Sequence, residues 1–138
     1  MYLVFQHMNM KFAINSNYVK SISLINYIYP LPLQDNFLLG ITNIKGELYS
    51  VINLSTIFSE PKSVSISKYL IILSSPYDFI VTSDGKIHLF ESLGNQVEKS
   101  ISSDFIKNEY KHEKETVYLL DLDKIKENLN ATLIKGEK

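Results

Sequence analysis

No cysteine occurs in the sequence, which excludes disulfides and thiolate-held metals and suits a reducing compartment. Arginine is missing as well, so the 14 basic residues are all lysines, set against 15 acids. Without the guanidinium fork, bidentate contacts to phosphate or guanine are not available. The formal net charge of −1 supplies no field that would gather nucleic acid or an anionic membrane. No nucleic-acid partner is therefore expected. Hydrophobic runs are short, and none approaches the ~20 residues needed to span a bilayer. The apolar start at residues 2–5 follows no basic region, so neither membrane insertion nor a secretory leader is expected, and a cytoplasmic location is. Two triplets, Asn53-Leu54-Ser55 and Asn130-Ala131-Thr132, match the glycosylation acceptor pattern, which carries weight only in a secreted protein.

What is present is enough for one domain, read as residues 1–138. The 138 residues are 45% hydrophobic and 21% charged, the balance of a chain that can bury a real core. With only five glycines and four prolines, each acts as punctuation. The most informative stretch lies between residues 37 and 54. Ile41 and Asn43 alternate with Thr42 and Ile44 before Lys45-Gly46. Beyond it Leu48, Ser50, Ile52 and Leu54 alternate with Tyr49, Val51 and Asn53. Period-two runs on either side of a glycine predict a β-hairpin, with Gly46 free to take a positive φ at the turn. Gly40 marks the entry to the first strand.

Elsewhere, strands are expected at residues 2–6 and 11–15, joined through His7-Met8-Asn9-Met10. Asn15-Ser16-Asn17 offers capping side chains ahead of Tyr18, Val19, Ile22 and Ile25 at helical spacing, which predicts a helix of about two turns ending before Pro30. Pro30-Leu31-Pro32 reads as an extended connection. A short helical turn is expected at residues 55–58, followed by a serine-rich loop over 59–67. Tyr69-Leu70-Ile71-Ile72-Leu73 is a continuous apolar run, the pattern of a strand buried on both faces. Asp84-Gly85 predicts a hairpin between strands at 79–82 and 86–90. Residues 92–112 are polar and weakly periodic and predict no clear element. A last strand at 117–122 is expected, with Asp123 capping a terminal helix that contains Ile125 and Leu129. Many short strands and few helices predict an all-β fold of barrels or small sandwiches.

The run Leu39-Gly40-Ile41-Thr42-Asn43-Ile44-Lys45-Gly46-Glu47, continuing through Val51-Ile52-Asn53-Leu54, resembles the signature of CheW-like domains, the adaptors of bacterial chemotaxis arrays. Glycines, asparagine and spacing agree together. The likeness extends to Tyr2-Leu3-Val4-Phe5 with Phe12-Ala13-Ile14, to Tyr18-Val19-Lys20-Ser21-Ile22, to Pro30-Leu31-Pro32, and to residues 117–125. It implies two small five-stranded SH3-like β-barrels packed on a shared hydrophobic core, no catalysis and no cofactor. The implied partners are the regulatory domain of a CheA-type histidine kinase and the cytoplasmic tip of a methyl-accepting chemoreceptor, met at membrane-associated receptor arrays. The implied interface residues are Val19, Ile22, Gly40, Asn43, Lys45 and Gly46, with the glycines and Asn43 shaping the hairpin that displays Lys45 toward the receptor. Val19 and Ile22 have core packing as an equally good reading.

Three departures from the family pattern stand out. Lys45 occupies the position where an arginine is usual, which keeps the charge and loses the planar fork. Ser50 replaces a proline, and Ser21 replaces a glutamate. In the second half, residues 82–86 interrupt the usual strand continuation, as if a hairpin had taken its place. Two other readings stay open at the level of sequence: a divergent CheW-like paralogue serving another kinase or receptor, and a small β-barrel that acts as a subunit or ligand-binding module.

Catalytic arrangements find no support. His7, His88 and His112 are widely separated and lack metal-ligand spacing. Neither a phosphate loop nor a glycine-flanked serine elbow occurs. Asp121 and Asp123 are better placed at a helix start than as an acid–base pair. Glu109, Glu113 and Glu115 with Lys107, Lys111 and Lys114 form a mixed-sign run, the pattern of a solvated face.

Overall fold

A computed structural model describes residues 1–32, 36–58 and 67–136. The serine-rich stretch at 59–66 lies outside the described residues. Strand β1 (Tyr2–His7) turns through Met8 and Asn9, both at positive φ, into β2 (Met10–Asn15). The helix expected around Tyr18 is not formed. Asn15 accepts a hydrogen bond from Asn17 N and supports only a single 3-10 turn, Ser16–Tyr18, after which β3 (Val19–Leu24) runs as a strand. The apolar spacing at Val19, Ile22 and Ile25 suits a helix. Pairing against the fully apolar β6 (Tyr69–Leu73) overrides it, and β-branched Val19 and Ile22 fit the pleat.

The predicted hairpin is present as β4 (Leu38–Ile44) and β5 (Glu47–Ile52). A 3-10 segment, Leu54–Phe58, follows it. Asn53 anchors that segment: its Oδ1 accepts from Ser55 N and Oγ, and its Nδ2 donates to Asn36 O. Next come β7 (Phe79–Ser83) and β8 (Ile87–Phe90), but they are not a hairpin. Ser83 Oγ and Asp84 N both donate to Gln6 O, and the Asp84 carboxylate accepts from Met8 N at 2.7 Å. These bonds fasten the end of β7 to the end of β1. The chain leaving Gly85 is therefore delivered to the free edge of β1, where β8 pairs antiparallel.

The unreadable stretch contains β9 (Asn95–Val97) and all of β10 (Ile106–His112), which forms a hairpin with β11 (Glu115–Leu120). Glu109 in β10 is buried, not solvated. Its carboxylate accepts from Ser100 N at 2.8 Å, Ile101 N at 3.0 Å and Ser100 Oγ. The terminal helix α1 (Leu122–Gly136) is capped by Asp121, whose Oδ1 accepts from Lys124 N, and not by Asp123. Asp123 sits in the first turn and takes a hydrogen bond from the Tyr77 hydroxyl at 2.9 Å.

Two sheets result, of six strands in the order β8-β1-β2-β11-β10-β9 and of five in the order β3-β6-β7-β5-β4. The mainly-β class holds, while the first sheet has one strand more than expected. Neither sheet closes through a ladder between its edge strands among the described residues. In the second, the chain beyond β3 comes alongside β4 instead: Tyr29 and Ile41 exchange backbone hydrogen bonds of 2.7 and 2.9 Å.

Alternation along the strands sorts side chains into three cores. Leu3, Phe5, Phe12, Ile14, Ile71, Leu73, Phe79 and Val81 meet Ile125 and Leu129 of α1 in a cluster shared between the sheets. Their neighbours in sequence point the other way. Val4, Ala13 and Val117 form a small core within the first sheet. Tyr49, Val51, Leu70, Ile72 and Ile80 form one within the second. Burial on both faces, expected for β6 alone, thus also holds for β1, β2 and β7, as a period of two requires when each sheet curls over its own core.

Candidate functional site

The β4–β5 turn is built by two residues in the left-handed region, Lys45 (φ 51°) and Gly46 (φ 89°). Such a pair gives the twist that a two-residue hairpin needs. Asn43 Oδ1 accepts from Gly46 N at 2.8 Å and braces the turn from within. Lysine is an unfavoured residue at the first of these positions, where glycine or asparagine would carry less strain. Lys45 is exposed at the tip and forms no ion pair among the described residues. Gly40, at the other end of β4, is required by close approach: a Cβ there would stand 2.1 Å from Tyr29 O. The hairpin can therefore lie against the 26–29 segment only with glycine at this position. Thr42 Oγ1 donating to Tyr27 O and Asn26 Nδ2 donating to Asn43 O complete that seam.

Val19 and Ile22 lie on β3, at the opposite edge of the strand order from β4. A side-chain link spans from β3 to β5. Lys20 Nζ is 3.1 Å from Tyr49 Oη and 3.7 Å from Glu47 Oε2, and the Tyr49 hydroxyl donates to the same carboxylate at 2.8 Å. The lysine's pKa is raised, first by the Tyr49 hydrogen bond and then by the Glu47 charge.

Ile22 also lines an open groove of about 640 Å³ between the sheets. One wall is Ile22, Lys68 and Tyr69 from the second sheet. The other is Leu3 with Lys86, Ile87 and Leu89 from the first. Ile87 lies opposite Phe5 in the ladder and Leu89 opposite Leu3, so both face the shared core. The groove is the place where that core runs out to the surface. Ile22 and Leu89 are 43% and 57% exposed there, a large apolar area for a margin that nothing among the described residues covers. Val19, Gly40, Asn43, Lys45 and Gly46 do not line the groove. Conversely, the sequence reading did not single out Ile87, Leu89, Lys68 or Lys86. The alternation of Ile87 and Leu89 was a usable signal, obscured by assigning those residues to a hairpin with β7.

A second apolar surface follows the outer face of the hairpin. Leu39 and Leu48 are exposed there, and Tyr29, beside Ile41, holds Tyr27 in an edge-on contact with ring centroids 4.5 Å apart. Catalytic geometry does not form. His88 and His112 both lie against the Phe90 ring, at 6.2 and 5.0 Å, while His7 is buried at the end of β1. No group of three or more metal-ligating side chains occurs among the described residues. No helix among them is long and apolar enough to cross a membrane.

Residues 1–129 match the family described as the CheW-like domain. With that span covering most of the sequence, the chain belongs to the CheW-like family. The family is one of non-catalytic scaffolding and adaptor proteins in chemotaxis, and the chain is not an enzyme. Among solved structures, the scaffolding protein TtCheW from Thermoanaerobacter tengcongensis is similar, with a TM-score of 0.72 at 18% identity, covering 88% of this chain and 83% of that one. At that identity the likeness establishes the fold. No curated protein sequence matches.

Proposed function

We propose that this adaptor couples the cytoplasmic tip of a methyl-accepting chemoreceptor to the regulatory domain of a CheA-type histidine kinase, in the cytoplasm at receptor arrays. The observation that carries the proposal is the apolar inter-sheet groove in a member of the CheW-like family. A groove walled by Leu3, Ile22, Ile87 and Leu89 suits a helix that lays its apolar stripe along it. Ile22 supplies affinity, and Lys45 at the hairpin tip supplies a polar contact at the receptor's flank. Lysine makes that contact from a single point, where an arginine would make two. Val19, three residues before Ile22, adds a second apolar side chain on β3. Gly40, Asn43 and Gly46 act by fixing the shape and direction of the hairpin.

The outer hairpin face, with Leu39, Leu48 and the Tyr27–Tyr29 pair, is assigned to the kinase. Two separate surfaces are what a coupling protein needs, because both partners must be held at once. Signal then passes only if the adaptor binds the kinase's active and inactive states unequally. The whole of residues 1–138 acts as one module in this reading.

Calorimetric titration against the regulatory domain of the cognate kinase, and separately against a receptor cytoplasmic fragment, tests the proposal. Saturable one-to-one binding to each is expected. A folded chain that binds neither would refute it and favour service to a different kinase or receptor.

A further inference from the structure

The groove between the sheets is not only apolar. Lys68 contributes to one wall and Lys86 to the other, both exposed, and His88 lies beside them. No aspartate or glutamate is among the described residues that line it. Neither lysine forms an ion pair among the described residues, whereas Lys11, Lys20 and Lys124 all do. The nearest acid in sequence, Asp84, is turned away and engaged with Met8 N. On a chain whose net charge is −1, this margin presents an apolar floor between two cations that have no ion pair among the described residues.

Resting on the receptor reading above, we infer that the groove selects an acidic amphipathic helix, whose carboxylates on either side of its apolar stripe meet Lys68 on one wall and Lys86 on the other. The division of labour follows from the chemistry of each part. Leu3, Ile22, Ile87 and Leu89 bury the stripe and extend the shared core outward. The two lysines, on long flexible stems at the rim, act as point charges that steer the encounter and reject helices with basic flanks. Lysines on opposite walls also fix the partner's width, because a helix with acids on one flank alone satisfies only one of them. The receptor segment that docks here is thereby defined by charge pattern as well as by hydrophobicity.

The test is binding of the full chain to a receptor cytoplasmic hairpin fragment, measured from low to high salt, with three variants. Ile22→Asp reports whether the groove is the site at all. The double variant Lys68→Glu/Lys86→Glu reports the charge pattern, and Lys68→Gln/Lys86→Gln separates neutralisation from repulsion. Each variant is checked for an unchanged unfolding midpoint, which exposed rim lysines should leave intact.

If the inference holds, Ile22→Asp abolishes binding and the Glu pair weakens it by roughly tenfold at low salt. The Gln pair falls between. All rim effects collapse near 1 M salt, where screening acts over about 3 Å. Replacing the fragment's flanking acids by lysines should restore binding to the Glu variant alone. If Ile22→Asp abolishes binding but the Glu pair leaves affinity and salt dependence unchanged, the inference is overturned and the receptor reading survives. If the wild-type chain does not bind the fragment, or Ile22→Asp has no effect, both fall.

Discussion

Lys20 on β3 reaches across to Tyr49 on β5, its Nζ 3.1 Å from the phenolic oxygen and 5.9 Å from the ring centroid. The contact joins the edge strand that carries Ile22 to the hairpin that carries Lys45, and Glu47 closes it from the other side. Tyr49→Phe removes the leading cause of the raised Lys20 pKa. Its titration, followed by NMR of the side-chain ammonium region, is expected to move down toward the ordinary lysine value. An unmoved titration would mean that Glu47 alone sustains the link.

At the turn itself, Lys45→Asn exchanges a strained residue for one suited to positive φ. A gain in stability of about 0.5 kcal/mol is expected, read from urea unfolding. Receptor affinity should fall in the same variant. Lys45→Glu should weaken it further with the fold intact, whereas unchanged affinity in both would remove Lys45 from the site.

Gly40 is constrained by its neighbour across the seam. In Gly40→Ala the new methyl would overlap Tyr29 O, so the 26–29 segment must separate from β4. A loss of more than about 2 kcal/mol is expected, with faster amide exchange at Tyr29 and Ile41. Gly46→Ala meets nothing within 4 Å and should cost about 1 kcal/mol from backbone strain alone. Equal losses in the two variants would contradict the steric account.

Acid should weaken the fold through His7. The ring is buried at the junction of β1 and β7, and its Nδ1 has no hydrogen-bond partner among the described residues. Burial lowers its pKa below the ordinary 6.5, an effect only partly offset by Asp84 and the Thr82 backbone. The native state thus favours the neutral ring, while the unfolded chain takes up a proton near 6.5. Stability is full above about that pH and declines as pH falls toward the depressed native value, below which His7 adds no further slope. Urea midpoints between pH 7.5 and 5 should drop for the wild type and drop less for His7→Phe. Parallel curves would assign the acid sensitivity elsewhere.

Among the described residues Glu109 is held by three donors and pairs with no cation. Glu109→Ala removes the acceptor from Ser100 N and Ile101 N, which are only partly shielded from water, with an expected loss of about 1–2 kcal/mol. Glu109→Gln keeps an acceptor oxygen and should lose less. If alanine is as stable as wild type, water must replace the carboxylate without cost.

The hairpin was the most legible part of the chain because its information is local: alternation, two punctuating glycines and an asparagine whose partner lies three residues away. The continuous run of β6 was legible for the same reason. What failed depended on distant partners. Val19 to Ile25 carry a helical spacing that only the β6 ladder overrules, and Asp84-Gly85 resembles a hairpin turn until Gln6 O claims its neighbours. Glu109 looked solvated because its donors, eight and nine residues earlier, lie in a stretch without periodicity. The groove was invisible in sequence, since each wall joins residues far apart in the chain, Ile22 with Lys68 on one side and Leu3 with Ile87 on the other.

The strand order also sets a timetable. The second sheet draws on β3 to β7, an unbroken stretch of the chain. The first sheet begins with β1 and β2 and waits for β8 to β11, with β2 lying parallel to β11. During synthesis the middle of the protein can assemble while the opening hairpin remains without its neighbours, and the shared core closes only when α1 arrives. Pulse-labelled amide exchange should find protection in β6 and β7 before it reaches β1 and β2. The groove waits in the same way for β8 to reach β1, because Ile87 and Leu89 complete the wall that Leu3 begins.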